Sequence, residues 1–126
     1  MCRSQVTDNQ EATSRGRLSV TRADTDGITV LTLSGEVDYE SAGALAGAVP
    51  PADPTAGARI VIDLSSVTFM DSSGINTLVT AYQTTRDAEG WLRIAGARGP
   101  ALRIVQMVGL DALVSCHPTV EDAVTA

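Results

Sequence analysis

The sequence contains no lysine: all nine of its basic residues are arginine, and fifteen acidic residues bring the net charge to −6. A Walker phosphate loop, a pyridoxal Schiff base and a protein-kinase active site each need a lysine, so its absence excludes all three. The acidic balance also argues against binding to nucleic acid or anionic lipid, because both depend on clustered cations. We expect neither a direct nucleic-acid partner nor a membrane partner.

Residues that commonly build catalytic and metal sites are also scarce. The chain has one histidine, His117, which is expected in a loop, and two cysteines far apart in sequence, Cys2 and Cys116. A lone histidine does not make a metal site, and two distant cysteines give little support for a disulfide framework. The first seventeen residues lack a long apolar segment, and no later run approaches the eighteen apolar residues of a membrane span. We expect a cytoplasmic protein with no metal and no cofactor.

The length of 126 residues suits one domain with its own hydrophobic core. Residues 1–17 are polar and have almost nothing to bury, which predicts a flexible N-terminal tail. The folded domain is expected to span residues 18–126.

Two periodicities alternate along this domain. Period-two alternation and short β-branched runs predict strands over residues 18–21, 28–33, 59–64 and 91–95, and a last short strand is predicted over 113–116. Apolar stripes and capping signals predict helices that begin near Ala42, Ile75, Ala101 and Val120. The pattern predicts a single α/β (α+β) domain, with a mixed sheet of four to six strands packed against about four helices. The run at 60–64 is typical of a central strand buried on both faces.

The motif Asp-Ser-Ser-Gly at residues 71–74 lies between an apolar segment and a helix. The start of a helix leaves backbone N–H groups without partners, and Ser72 or Ser73 is expected to cap one of them. Taken alone, such a motif is more often a simple cap than a functional site. The alternative is a modification site, because a helix N-terminus also tolerates added negative charge.

A phosphate on Ser73 would add about −1.5 to −2 charge units close to the Asp71 carboxylate. Two unit charges about 5 Å apart, at an effective dielectric of about 20, repel by roughly 3 kcal/mol. Solvent absorbs much of this repulsion in the free protein, but not in an interface. Phosphorylation could therefore cost about 2 to 4 kcal/mol of binding to a protein docked at this helix start.

Other notable residues have simpler interpretations. In the segment Gly-Glu-Val-Asp at 35–38, the glycine is expected to end a strand, and Asp38 or Ser41 is expected to cap the next helix. Met70 and Met107 are expected to fill the core.

The order of these segments resembles the STAS domain, in particular the stand-alone anti-sigma factor antagonists of bacteria. The likeness rests on Gly-Glu-Val-Asp at 35–38, the apolar strand at 60–64 and Val-Thr-Phe-Met-Asp-Ser-Ser-Gly at 67–74, and it covers about residues 18 to 125. The resemblance implies a partner-switching protein that performs no chemistry itself. In that family the unphosphorylated antagonist binds an anti-sigma factor, which is also a serine kinase of the GHKL type, and so releases a sigma factor.

The resemblance also implies roles for individual residues. The kinase would phosphorylate Ser73, and a PP2C-type phosphatase would remove the phosphate. The residues implied in partner binding are Asp38, Asp71, Ser72, Gly74 and Asn76. Asn76 departs from the family pattern, because related chains often carry glycine there, and an amide at this position could change which kinase fits.

Two alternatives remain open at this point. The chain could be a STAS subunit of a lipid-transport or stress-signalling complex that binds through the same surface without phosphorylation. It could also be an enzyme that uses Ser73 as a nucleophile. The second alternative is weak because the sequence offers no oriented base and lacks the glycine two residues before the nucleophile of a serine-hydrolase elbow.

Overall fold

The computed structural model describes residues 10–15, 18–49 and 58–126, which contain six strands and five helices. The strands are β1 (Gln10–Arg15), β2 (Leu18–Thr25), β3 (Ile28–Val37), β4 (Arg59–Met70), β5 (Trp91–Ala95) and β6 (Ser115–His117). The helices are α1 (Ala42–Ala48), α2 (Ser72–Asp87), α3 (Gly99–Met107), α4 (Leu110–Leu113) and α5 (Val120–Thr125).

The strands lie in the sheet in the same order as in the chain. The first three are antiparallel, and β3 to β6 are parallel. A two-residue turn joins β2 to β3, with positive φ at both Asp26 (52°) and Gly27 (79°). Asp-Gly favours this type of turn, because its twist matches that of the flanking strands. The mixed sheet and the α/β (α+β) class were both predicted from the sequence.

Helices cover both faces of the sheet unequally. Residues of α1 to α4, such as Leu45, Leu78 and Val105, pack with the strands in the larger core. A smaller cluster on the other face joins Val61 and Ala95 to residues that include Ala123 of α5. Each parallel strand from β4 to β6 is added on the same side of the preceding strand, and crossover connections are right-handed. The connecting helices therefore lie on one face of the sheet. Only a helix that follows the last strand is free to pack on the other face.

The strand β4 is central, as its β-branched run predicted. Ile60, Val61 and Ile62 are all completely buried, so both faces of the strand are covered. The strand is longer than predicted, since it runs through Ser65 and Ser66 to Met70. Pairing with β3 continues there through two register shifts, whereas pairing with β5 stops at Asp63. Residues 34–37 and 64–70 thus extend beyond β5 and are called the projecting ribbon below. The strand β2 flanks β3 as far as Gly35, so only the last pairs, Glu36 with Phe69 and Val37 with Met70, form a two-stranded end.

Three other expectations are corrected. Residues 10–15 form the edge strand β1 inside the segment predicted to be a flexible tail, because an edge strand is held by main-chain hydrogen bonds that polar residues form equally well. Residues 1–9 and 16–17 lie outside the described residues. Met107, expected in the core, is 75% exposed on the outer side of α3. His117, expected in a loop, lies in β6.

Of the helices in the described ranges, none has both the length and the apolar character needed to cross a bilayer.

Candidate functional site

The two segments that the sequence singled out meet at the carboxyl ends of β3 and β4. These strands are parallel neighbours, and Val37 at the end of β3 pairs with Met70 at the end of β4. The backbone N–H of Asp71 donates to the carbonyl of Val37 at 3.1 Å. The turn that follows β3 and the start of α2 therefore lie side by side, which brings Asp38 and Asp71 to the same end of the sheet.

The start of α2 is capped by Asp71. Its backbone is extended, and its Oδ1 accepts hydrogen bonds from the N–H groups of Ser73 at 2.8 Å and Gly74 at 3.3 Å. The prediction that Ser72 or Ser73 caps this helix is wrong, because both serines already lie within the helix. The cap is a carboxylate, and hydrogen bonds to an ionised acceptor are the stronger kind.

The first turn of α2 exposes its polar side chains to different degrees. Ser72 and Asn76 are exposed and lie four residues apart, on one side of the helix, while Ser73 is half-buried. The carbonyl of Ser73 accepts a hydrogen bond from the Thr77 hydroxyl at 3.0 Å. The Ser73 side chain thus lies at the edge of the surface formed by Ser72 and Asn76.

Gly74 is buried beneath this turn. A Cβ at this position would lie 2.7 Å from Val37 Cγ1 and 2.8 Å from Met70 Cγ, both closer than side chains approach in proteins. Gly74 therefore allows α2 to pack closely against the ends of β3 and β4. The partner-binding role expected for Gly74 stays a prediction, and what the geometry indicates is a packing role that sets the height of Ser73 above the sheet.

A compact turn fixes Asp38. Its Oδ1 accepts hydrogen bonds from both the N–H and the hydroxyl of Ser41, each at 3.0 Å, and its own N–H donates to Ser41 Oγ at 2.9 Å. Ser41 is completely buried, and its hydroxyl also lies 2.9 Å from the carbonyl of Glu36. Either residue was expected to cap α1; the structure joins both in one reciprocal turn before the helix. This turn holds the Asp38 carboxylate in place beside the α2 start.

Two aromatic residues at this end of the sheet were given no binding role from the sequence, although one of them lies in the motif at 67–74. Tyr39, in the turn after β3, is 85% exposed, and Phe69, one residue before the end of β4, is 45% exposed. Their position next to the two motifs, in a chain whose composition is only 3% aromatic, is the signal that could have identified them. Sequence alone could not tell that they are exposed, since aromatic residues near strand ends usually pack in the core.

His117 lies on the other side of the sheet from Ser73. It pairs with Ala95, and paired residues of neighbouring parallel strands direct their side chains to the same face. Ala95 belongs to the cluster covered by α5, whereas α2 packs on the opposite face. His117 therefore cannot act as a base for Ser73. Across the described residues, no three His, Cys, Asp or Glu side chains gather as a metal site.

Comparison with known proteins gives consistent matches. The sequence model of the STAS domain matches residues 19–123. The anti-sigma-F factor antagonist RsfB of Mycobacterium tuberculosis is 35% identical over 112 residues, which is 86% of this chain and 88% of RsfB. The anti-sigma-B factor antagonist of Listeria monocytogenes is 27% identical over 97 residues, covering 77% of this chain and 84% of that protein.

A solved structure agrees with these sequence matches. The crystal structure of an anti-sigma factor antagonist from Mycobacterium paratuberculosis is 35% identical, with a TM-score of 0.74 over 86% of this chain and 92% of that one. Sequence and fold together show that the chain belongs to the STAS domain family, as the order of its motifs predicted.

Proposed function

We propose that this protein is a cytoplasmic anti-sigma factor antagonist whose binding to its anti-sigma factor is switched off by phosphorylation of Ser73. The antagonist role is supported by the relatives at 35% identity, which carry that name. The observation that supports the switch is the geometry of the α2 start, where the backbone N–H of the half-buried Ser73 donates to the capping carboxylate of Asp71 at 2.8 Å. The proposed partners are an anti-sigma factor that is also a GHKL-type serine kinase and a PP2C-type phosphatase.

Access to Ser73 is the first requirement of this proposal. The residue lies in the first turn of a 16-residue helix, beside the exposed side chains of Ser72 and Asn76. A docked kinase would transfer the γ-phosphoryl group of ATP to Ser73 Oγ, forming an O–P bond while the bond to the ADP leaving oxygen breaks and the hydroxyl proton passes to a base of the kinase. Ser73 then acts only as the acceptor, and the antagonist supplies no catalytic group.

The same geometry explains why the product would leave. Phosphoryl transfer requires the nucleotide and Ser73 Oγ to be almost in contact in the docked complex. Phosphoserine in that pose would face both the remaining nucleotide phosphates and the Asp71 carboxylate. Water that screens these charges in the free protein is excluded from the interface, so the repulsion is larger in the complex.

A second effect acts on the helix itself. The Asp71 carboxylate already accepts from the N–H groups of Ser73 and Gly74, which are also the natural partners of a phosphate at a helix N-terminus. Phosphate oxygens on Ser73 would compete with Asp71 for these donors. The modified protein therefore presents a different first turn as well as a different charge.

The first experiment identifies the acceptor. The protein is incubated with its cognate anti-sigma factor and ATP, and mass spectrometry of peptides is expected to find one phosphate, on Ser73. Ser73→Ala should accept none, whereas Ser72→Ala, which removes the neighbouring hydroxyl, should still accept one phosphate on Ser73. Phosphate on Ser72 in the wild-type protein would contradict the assignment.

The second experiment measures the switch. Calorimetry is expected to show that phosphorylated protein and Ser73→Glu bind the anti-sigma factor roughly thirty- to a thousand-fold more weakly than wild type, which corresponds to about 2 to 4 kcal/mol. Equal affinity would instead support the alternative, a STAS subunit that binds constitutively. The enzyme alternative, with Ser73 as nucleophile, is opposed by the position of His117 on the other face of the sheet.

A further inference from the structure

Aromatic residues in this chain divide into two groups with different surroundings. Tyr82 and Trp91 are partly buried, and each packs against one of the two core clusters. Trp91 also stacks under the guanidinium of Arg93, which lies 3.8 Å from its ring. Tyr39 and Phe69 are instead exposed by 85% and 45%. Exposed aromatic side chains contribute little to the stability of the free domain, but they are the residue type that most often dominates binding energy in interfaces.

Both exposed aromatics lie beside the α2 start. Phe69 pairs with Glu36 on the projecting ribbon, one step before the Val37 and Met70 pair that supports α2. Tyr39 lies two residues after the end of β3 and belongs to the turn held by Asp38 and Ser41. The hydrogen-bonded turn and the paired ribbon fix the backbone under both rings, so docking would order little more than their side chains.

Phe69 lies on the side of the projecting ribbon opposite to α2. Met70 packs toward the larger core beneath α2, and Phe69, its neighbour along the strand, points to the other side of the ribbon. The ribbon has no β5 alongside it at this point, since that pairing ends at Asp63. A protein that covers Ser73 at the end of the sheet is therefore able to wrap over the ribbon and enclose Phe69.

Charge around the rings indicates the chemistry of what binds them. At this end of the sheet, the Asp71 carboxylate caps α2 and Glu40 lies in the turn after β3. Glu40 is exposed beside Tyr39. A partner surface that matches this region presents arginine or lysine around apolar pockets.

We infer that Tyr39 and Phe69 are the anchor residues of the docking surface, and that the anti-sigma factor receives them in apolar pockets rimmed by basic side chains. This inference rests on the proposed function, because it assigns the energy of that same complex. The aromatic anchors determine mainly how long the complex lasts, whereas Glu40 increases the association rate. Ser73 controls whether the complex forms, and it is not the main source of affinity.

The test measures binding of the full-length protein to the purified anti-sigma factor by calorimetry and by surface plasmon resonance. Tyr39→Ala and Phe69→Ala are each expected to weaken binding by about thirty-fold or more, almost entirely through faster dissociation. Met107→Ala is the matched control, because Met107 is an apolar residue 75% exposed on α3, and it should leave the affinity within about two-fold. Glu40→Gln should slow association and flatten its dependence on salt.

Circular dichroism melting shows whether a loss of affinity comes from a loss of folding. Because both aromatic side chains are exposed, each alanine variant is expected to unfold within a few degrees of wild type, and Phe69→Leu, which keeps an apolar side chain, should recover part of the affinity. If the alanine variants bind like wild type while Ser73→Glu still weakens binding, the anchor role of Tyr39 and Phe69 is refuted and the proposed function stands. An anti-sigma factor that does not bind even the wild-type protein would overturn both.

Discussion

Asp71 offers a direct test of how α2 is held in place. Replacing Asp71 by alanine removes both side-chain hydrogen bonds to the helix start, the 2.8 Å bond from Ser73 N–H and the 3.3 Å bond from Gly74 N–H. Replacing it by asparagine keeps an oxygen in the same place but removes the charge. The pair of variants therefore separates the cap from the carboxylate charge.

The magnitudes follow from general values for helix caps. Alanine at an N-cap costs about 0.5 to 2 kcal/mol, whereas asparagine is about as good a cap as aspartate. Loss of the favourable charge near the helix N-terminus costs roughly a further 0.3 to 1 kcal/mol in either variant. With about 4 °C of melting temperature per kcal/mol for a domain of this size, Asp71→Ala should melt about 6 °C below wild type and Asp71→Asn about 2 °C below.

Thermal melting by circular dichroism and urea unfolding at matched pH provide the measurement. The slope of the urea transition should be the same for all three proteins, because neither variant changes the surface exposed on unfolding. Adding 1 M salt should bring Asp71→Asn closer to wild type while leaving Asp71→Ala less stable. An Asp71→Ala protein as stable as wild type would refute the capping role, and an Asp71→Asn protein as unstable as Asp71→Ala would show that the charge matters and the cap does not.

Three further predictions concern the same region and one thiol. A double-mutant cycle tests whether charges at positions 71 and 73 interact. Ser73→Glu should lower the free energy of unfolding of wild type by about 0.8 kcal/mol more than that of Asp71→Asn, the value for two unit charges about 5 Å apart in water. Additive changes in the free energy of urea unfolding would refute this interaction. Gly74→Ala should cost about 1 to 3 kcal/mol by overpacking, whereas Gly47→Ala in α1, with nothing within 4 Å of its Cβ, should be neutral or stabilising. Partial burial, and secondarily the Asp111 carboxylate, raise the pKa of the Cys116 thiol. In a Cys2→Ser background, Cys116 should therefore react with iodoacetamide more slowly than glutathione does at pH 8, and its rate should rise only at higher pH. The same dependence of rate on pH for Cys116 and glutathione would contradict this.

Much of the fold could be predicted from the sequence because burial imposes simple patterns. The β-branched run in β4 marked a strand covered on both faces, and Ile60 to Ile62 are completely buried. The helix predicted to begin near Val120 is also present, and it is capped by the Thr119 hydroxyl, which accepts the N–H of Asp122 at 3.1 Å. In both cases a few neighbouring residues determine the local structure.

The errors share a different cause. The residue that caps α2 is the one at which the backbone changes from extended to helical. The hydrogen bond from Asp71 N–H to the carbonyl of Val37, which is distant in sequence, sets that point. The strand β4 was predicted to end at Leu64, whereas its pairing with β3 continues through two register shifts to Met70. The exposure of Met107 depends on how α3 lies on the sheet. Each of these features is decided by tertiary contacts that local patterns do not contain.

The order of the strands also has a consequence for how the protein forms during synthesis. Because every strand pairs with the one that precedes it in the chain, each new strand emerging from the ribosome finds its partner already made. The helices α1 to α4 add their apolar side chains to the larger core in the order in which they are synthesised. The opposite face behaves differently, since Val61 and Ala95 are covered by α5, which follows all six strands in the chain. A nascent chain stalled just before α5 would display this apolar face, and chaperones that recognise hydrophobic surface should bind it there.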